Sequence, residues 1–208
     1  MLIKTIPVGQ LETNCYVVTD EDTLECAVID PGDESSTILD YLESNHLCCR
    51  AILLTHGHFD HIGALDGLLA RYPNLPVHIG PGDVPMIGHP QNAWPPDYEA
   101  VKKPATLVAD LVDGATLSAG GLTAQVIATP GHTPGGACFL FAEQKLLLTG
   151  DTLFEGSCGR TDFPGGSPRQ LNESLHRLAG LDPELTVVPG HGSITTIARE
   201  VASNPFLQ

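Results

Sequence analysis

Between residues 55 and 61 the chain reads THGHFDH, which places His56, His58, Asp60 and His61 within one short stretch. Imidazole nitrogens and a carboxylate oxygen suit zinc, iron or manganese, with zinc the commonest hydrolytic choice, and the motif holds no thiolate. On a helix of ~3.6 residues per turn, His56 and His58 would point about 200° apart; at an extended strand end both can face one ion. Asp60 and His61 follow where the pattern changes to the helical spacing of Ile62, Leu65, Leu68 and Leu69, and a carboxylate is favoured at a helix start. A packing role for all four would crowd three histidines and an aspartate uncompensated at the end of an apolar strand, which repulsion and desolvation oppose. His132 in TPGHT and His191 in PGHG are weaker signals alone, and Asp151, placed after three leucines and a Thr-Gly, is a candidate carboxylate for bridging two ions. His46, His78, His89 and His176 lie outside any motif and read as surface or packing residues. No serine or cysteine nucleophile motif competes.

The elements that must position these groups are strands. The apolar and β-branched runs predict strands near 2–6, 14–19, 25–29, 50–54, 115–118, 122–128, 136–141, 145–149 and 185–188. Helical spacing predicts helices near 35–45, 62–71, 168–179 and 195–202. AVI is followed by Asp30, AILL by the histidine motif, QVIA by TPGHT, KLLL by TGDT and TVV by PGHG. Five strands thus deliver a polar side chain where they end, and such loops are expected to share one cleft. Each half runs several strands and then a strand, loop, helix unit, so two packed sheets with helices outside would bury both halves in one core. The proline-rich stretch 81–104 predicts a long irregular excursion of the lid or binding-loop kind.

Composition narrows the partners. A chain of 208 residues buries roughly 70% of the surface it exposes when unfolded. A net charge of −15 leaves no basic face for a phosphate backbone, so no nucleic-acid partner is expected. The apolar runs are too short for a membrane span, and the N-terminus lacks the apolar segment of a signal peptide, so no membrane association and a cytoplasmic location are expected. Six cysteines show no C-x-x-C pair. Cys26, Cys48, Cys49 and Cys138 sit in or beside apolar runs and read as buried small hydrophobes, whereas Cys158, in GSCGR, has access to a pocket as its second reading.

Taken together, THGHFDH, TPGHTPGG, GDTLF and PGHG, in that order over nearly the whole chain, resemble the metallo-β-lactamase superfamily, and within it the glyoxalase II or hydroxyacylglutathione hydrolase branch. The ending ASNPFLQ is similar to that of short members. The resemblance implies an α+β fold, an αββα sandwich, as a single domain over 1–208. It implies two divalent ions, the first held by His56, His58, His132 and Asp151, the second by Asp60, His61, Asp151 and His191. Asp30 matches the family's D-P-G position and is expected to orient the histidine loop, with a turn or capping role as its alternative. The activity implied is thioester hydrolysis, S-D-lactoylglutathione to D-lactate and glutathione, by hydroxide formed between the two ions and oriented by Asp60.

The loop after GDTLF departs from longer glyoxalase II members, which have a lysine and a tyrosine where this chain has Arg160 and Asp162 and which carry a further helical domain. Arg160 can pair with a substrate carboxylate or form an ion pair with Asp162 that closes the loop. SCGRTDF resembles persulfide dioxygenases of the same fold, which use one iron; this is the runner-up, ahead of a lactonase or a general thioesterase. The position of Asp151 argues against a β-lactamase, and the acidic charge against a tRNA-processing nuclease. A metal-binding module without catalysis is the remaining class. The oligomeric state is not legible.

Overall fold

The computed structural model describes residues 1–119 and 121–208. Its first half forms a six-stranded sheet in the order β1 (Leu2–Val8), β2 (Thr13–Thr19), β3 (Glu25–Ile29), β4 (Cys48–Leu53), β5 (Val77–His78) and β6 (Leu107–Val108). The connecting helices are α1 (Ser35–Ser44), α2 (Phe59–Ile62) and α3 (Leu65–Arg71). The second sheet is built from β7 (Thr116–Ala119), β8 (Leu122–Ala128), β9 (Ala137–Phe141) and β10 (Leu146–Gly150). After the small hairpin β11 (Leu153–Phe154) and β12 (Ser157–Cys158) comes α4 (Pro168–Ala179). The sheet is completed by β13 (Thr186–Pro189) and β14 (Thr195–Thr196), before α5 (Ile197–Ser203). Its order is β14-β13-β10-β9-β8-β7.

Alternation along the strands explains the layering, because successive side chains leave a strand on opposite faces. In β2, Cys15 and Val17 pack toward α1 and α3, and Tyr16 and Val18 pack toward the other sheet. In β10, Leu146 and Leu148 face the intersheet core, and Leu147 faces α4 and α5. Both faces of these central strands are covered, which is why they read as continuous apolar runs. The outer layers contribute Ile38 and Leu42 of α1, Leu65 and Leu68 of α3, Leu171, Leu175 and Leu178 of α4, and Ile197 of α5. The result is the expected αββα sandwich.

Several features differ from the sequence reading. The helix expected over 62–71 is two short helices, and the first already contains Asp60 and His61. Its break allows the backbone of Gly63 to lie against Gly32, where a Cβ would stand 2.2 Å from the Gly32 carbonyl oxygen. Strands β5 and β6 flank the 81–104 excursion, and at two residues each they are too short to show a period. Of the cysteines, Cys15, Cys26 and Cys138 are buried, but Cys48 is exposed and Cys49 half-buried, because β4, though paired with β3 from its first residue, is covered only from Ala51 onward. Cys158 is half-buried and packs against the core under α4.

Candidate metal centre

The five polar loops expected at strand ends are the loops that meet. Asp30 follows β3, the THGHFDH stretch follows β4, His132 follows β8, Asp151 follows β10, and His191 follows β13. Strands β3 and β4 are parallel neighbours in one sheet, as are β10 and β13 in the other, so their C-terminal ends open at the same edge of the sandwich.

Two triads form there. Ring nitrogens of His56, His58 and His132 lie within 4.8 Å of one another, and so do donor atoms of Asp60, His61 and His191. Asp151 lies between them: Oδ2 is 3.6 Å from both His132 Nε2 and His191 Nε2, and Oδ1 is 3.4 Å from His61 Nε2. The PGHG glycine makes this approach possible, since a Cβ on Gly190 would stand 2.3 Å from Asp151 Oδ1.

Four of the five histidines are aimed by what their other nitrogen touches, while His58 Nδ1 lies 2.8 Å from His132 Nε2 within the centre. His132 Nδ1 donates to the Arg160 carbonyl at 2.7 Å, and His191 Nδ1 to the Leu11 carbonyl at 3.1 Å. His61 Nδ1 donates to Asp30 Oδ2 at 3.0 Å. The Thr55 hydroxyl donates to the same carboxylate at 2.6 Å, and so accepts from His56 Nδ1 at 3.1 Å. These partners turn Nδ1 of each ring outward, leaving Nε2 of all four rings directed into the centre. Asp30 also accepts the Thr55 amide at 2.7 Å, so both of its oxygens serve orientation. It sits at φ 50° and is almost fully buried, a left-handed conformation that costs a non-glycine residue about 1 kcal/mol and is held by these bonds.

His56 Nε2 and Asp151 Oδ1 are buried without any hydrogen-bond partner, an arrangement costing on the order of 1–3 kcal/mol per group unless something else binds there. Three imidazoles with free lone pairs beside carboxylates are a donor set for a divalent cation, and the residues present fit one. Burial holds the His56 imidazolium well below the usual histidine range and His58 at about 4, with neighbouring histidines adding to both, so both rings stay neutral and able to ligate. Burial also opposes charge on Asp60, but His61 and His191, themselves drawn above the usual histidine range against burial by Asp151 and Asp60, outweigh it and keep that carboxyl ionised below the usual range; a divalent cation held here would take the place of those ring protons.

Sequence reasoning missed four contributors. Asp83, fully buried in the 3-10 turn at Pro81–Met86, accepts from the Gly57 amide at 2.9 Å, the Thr133 hydroxyl at 2.7 Å and the Gly135 amide at 2.6 Å, tying the two loops of the first triad together. Thr13 donates its hydroxyl to Asp60 Oδ2 at 3.3 Å. Asn14 and Tyr16 hold the PGHG loop by donating to the Pro189 carbonyl at 3.1 and 2.7 Å. The side chain of Arg160 is bound by Asp162 through two contacts of 2.6 and 2.7 Å and stacks over Phe163, so the loop-closing pair is formed while the Arg160 carbonyl positions His132. Beside His58 the 81–104 excursion walls a cleft of about 460 Å³, with Phe163 and Pro164 opposite.

With this geometry in hand, the relatives are informative. The model of the metallo-beta-lactamase superfamily matches residues 8–191, and the chain belongs to that superfamily, whose fold binds divalent metals and whose members include metal-dependent hydrolases. Among curated relatives, the probable metallo-hydrolase YqgX of Bacillus subtilis is 34% identical, with 98% of this chain and 96% of the relative covered. The hydroxyacylglutathione hydrolase GloC of Haemophilus influenzae is also 34% identical, with 100% and 98% covered. Solved structures include the BLEG-1 B3 metallo-beta-lactamase, with a TM-score of 0.90, 34% identity and both chains covered fully. TTHA1623 in a di-iron-bound form has a TM-score of 0.86 at 40% identity, covering 98% of this chain and 100% of the other. ETHE1 from Myxococcus xanthus has 0.78 at 30%, covering 99% and 84%. Among the described residues, no helix is long and apolar enough to cross a membrane.

Proposed function

We propose that this chain is a single-domain, cytoplasmic, dinuclear metal-dependent hydrolase of acyl thioesters, with S-D-lactoylglutathione among its substrates. One observation carries this reading: two donor triads converge on the two oxygens of one carboxylate, Asp151. His56, His58, His132 and Asp151 would hold one ion, and Asp60, His61, His191 and Asp151 the other, with zinc, iron and manganese all compatible with the donors. Such ions supply Lewis acidity and an activated water at neutral pH. The protein's own share is to aim the reactants and handle the proton. Asp60 is ionised, and its Oδ2 lies 3.3 Å from His191 Nε2 and accepts from Thr13, so its carboxylate is fixed in direction and available to orient water and accept a proton. Asp30 and Asp83 keep the histidine loops rigid, which matters because misplacing reacting groups by about 1 Å costs on the order of a hundredfold in rate. The 34% identity to a relative described as a hydroxyacylglutathione hydrolase supports the thioester class.

Asp60→Asn should lower kcat far more than it raises KM when the variant is assayed at saturating metal. A rise in KM alone would make Asp60 a substrate contact. The second reading, an iron-dependent persulfide dioxygenase, draws on SCGRTDF and on the likeness to ETHE1. Metal analysis of freshly purified protein with assays of S-D-lactoylglutathione, glutathione persulfide with an oxygen electrode, a lactone and a β-lactam separates the readings. Oxygen uptake with persulfide and no thioester cleavage would replace the hydrolase reading.

A further inference from the structure

The cleft beside the metal centre carries information about what is hydrolysed. It holds about 460 Å³, within the size range of pockets that enclose a small organic ligand, and His58 forms part of its wall, so the cleft and the candidate metal site are continuous. Phe59, Pro85, Met86, Trp94, Phe163 and Pro164 provide most of the rest. No Lys, Arg, Asp or Glu lines it. Of its polar members, Asn92 donates to the carbonyls of Gly57 and Met86 at 2.7 and 3.1 Å, His89 Nδ1 accepts the Gln91 backbone amide at 3.2 Å, and the Gln91 side chain offers an uncharged amide. On the Phe163 side, Arg160 is paired with Asp162, and its guanidinium carbon stands 4.0 Å from the Phe163 ring centroid. Trp94 leaves 53% of its surface exposed at the cleft, an apolar area that stays wet until something covers it.

Resting on the thioester reading, we propose that this cleft is the acyl subsite and that it selects an uncharged, apolar acyl group, while the thiol arm contributes little to recognition. A glutathione arm brings two carboxylates, for which the cleft has no cation and the protein, at −15, has an unfavourable field. An alkyl acyl chain, by contrast, would cover Met86, Trp94 and Phe163 while its carbonyl stands at the His58 end.

Two measurements on the metal-loaded full chain test this. The first is kcat/KM for S-acyl-N-acetylcysteamine thioesters from acetyl to octanoyl, paired with the same acyl groups on glutathione. Specificity should rise about fourfold per added methylene until the cleft is full, as burial of each CH₂ implies, and should change less than about threefold between the two thiol arms. Trp94→Ala and, separately, Met86→Gln should flatten the dependence on chain length. The second uses Trp94, the chain's one tryptophan, as an optical probe. Neutral octanamide should change its fluorescence saturably, and acetamide should not. A flat chain-length series with normal cleavage, or a preference set by the thiol arm, would overturn the acyl assignment and leave the hydrolase reading standing. Saturable octanamide binding with no thioester cleaved would retain the apolar subsite and remove the thioester reading. Silence of Trp94 toward octanamide would overturn the subsite itself.

Discussion

Asp151 is where the two donor triads meet, and truncation there should be felt on both sides. Its Oδ2 faces His132 and His191 equally, and Oδ1 faces His61. Asp151→Ala is expected to remove both ions from the protein, whereas His132→Ala should weaken mainly the one held with His56 and His58. Inductively coupled plasma analysis after equilibration at a fixed free-metal concentration distinguishes them; equal metal loss from the two variants would sink the assignment. Arg160 shows how one residue can divide its roles. Its carbonyl directs His132 and its guanidinium closes on Asp162.

At the scale of elements, the site depends on loops that are stitched to one another across sheet boundaries. Asp83 joins the loop after β4 to the loop after β8 through three accepted hydrogen bonds, and burial pushes its carboxyl pKa up despite them. An amide there can accept from only one side. Asp83→Asn should therefore turn an NH₂ group against the Gly135 amide or against the Gly57 and Thr133 donors, at a cost of about 1–3 kcal/mol. Beyond the lowered stability, metal affinity of the His56, His58, His132 group should fall by roughly 10–100-fold, the usual effect of removing a partner that orients ligands, with Asp60, His61 and His191 less affected. Metal titration of the variant with both sites resolved is the check, and uniform weakening would make Asp83 a general stabiliser. A similar stitch closes the C-terminal side, where buried Glu200 accepts from Thr195, Gly156 and Asn204, and Asn204 donates to the Ser157 carbonyl.

For the whole molecule, the site lies between two halves, so its occupancy should govern global stability. Ligand held by the native state alone stabilises it by about 4 kcal/mol at a thousandfold excess over Kd, and in a protein of this size each kcal/mol moves Tm by about 2–4 °C. Chelation of the loaded protein should lower Tm by about 10 °C. Calorimetry with and without a chelator tests this, and an unchanged Tm would mean that the ions do not couple the two sheets.

His56, His58, Asp60 and His61 were legible in the chain because metal-binding side chains are chemically distinctive and their spacing is local, whereas His132, Asp151 and His191, weaker signals alone, were joined to them by their place after strands β8, β10 and β13 and by the resemblance of their loops. The four-layer architecture followed from strand runs and helical periods, which are local as well. What only the tertiary structure decided comes from contacts made between residues far apart in the chain: Thr13 on Asp60, Asp83 on Gly57 and Gly135, the carbonyls of Leu11 and Arg160 on His191 and His132. A carbonyl is present at every position, so no residue type marks the two that aim a ligand, and a lone aspartate in a proline-rich loop looks like any turn aspartate until folding buries it against three donors. The cleft is of the same kind. Its lining is assembled from residues near 58, 85–94 and 163, each ordinary in its own surroundings, and only their packing brings a wall without Lys, Arg, Asp or Glu up to His58.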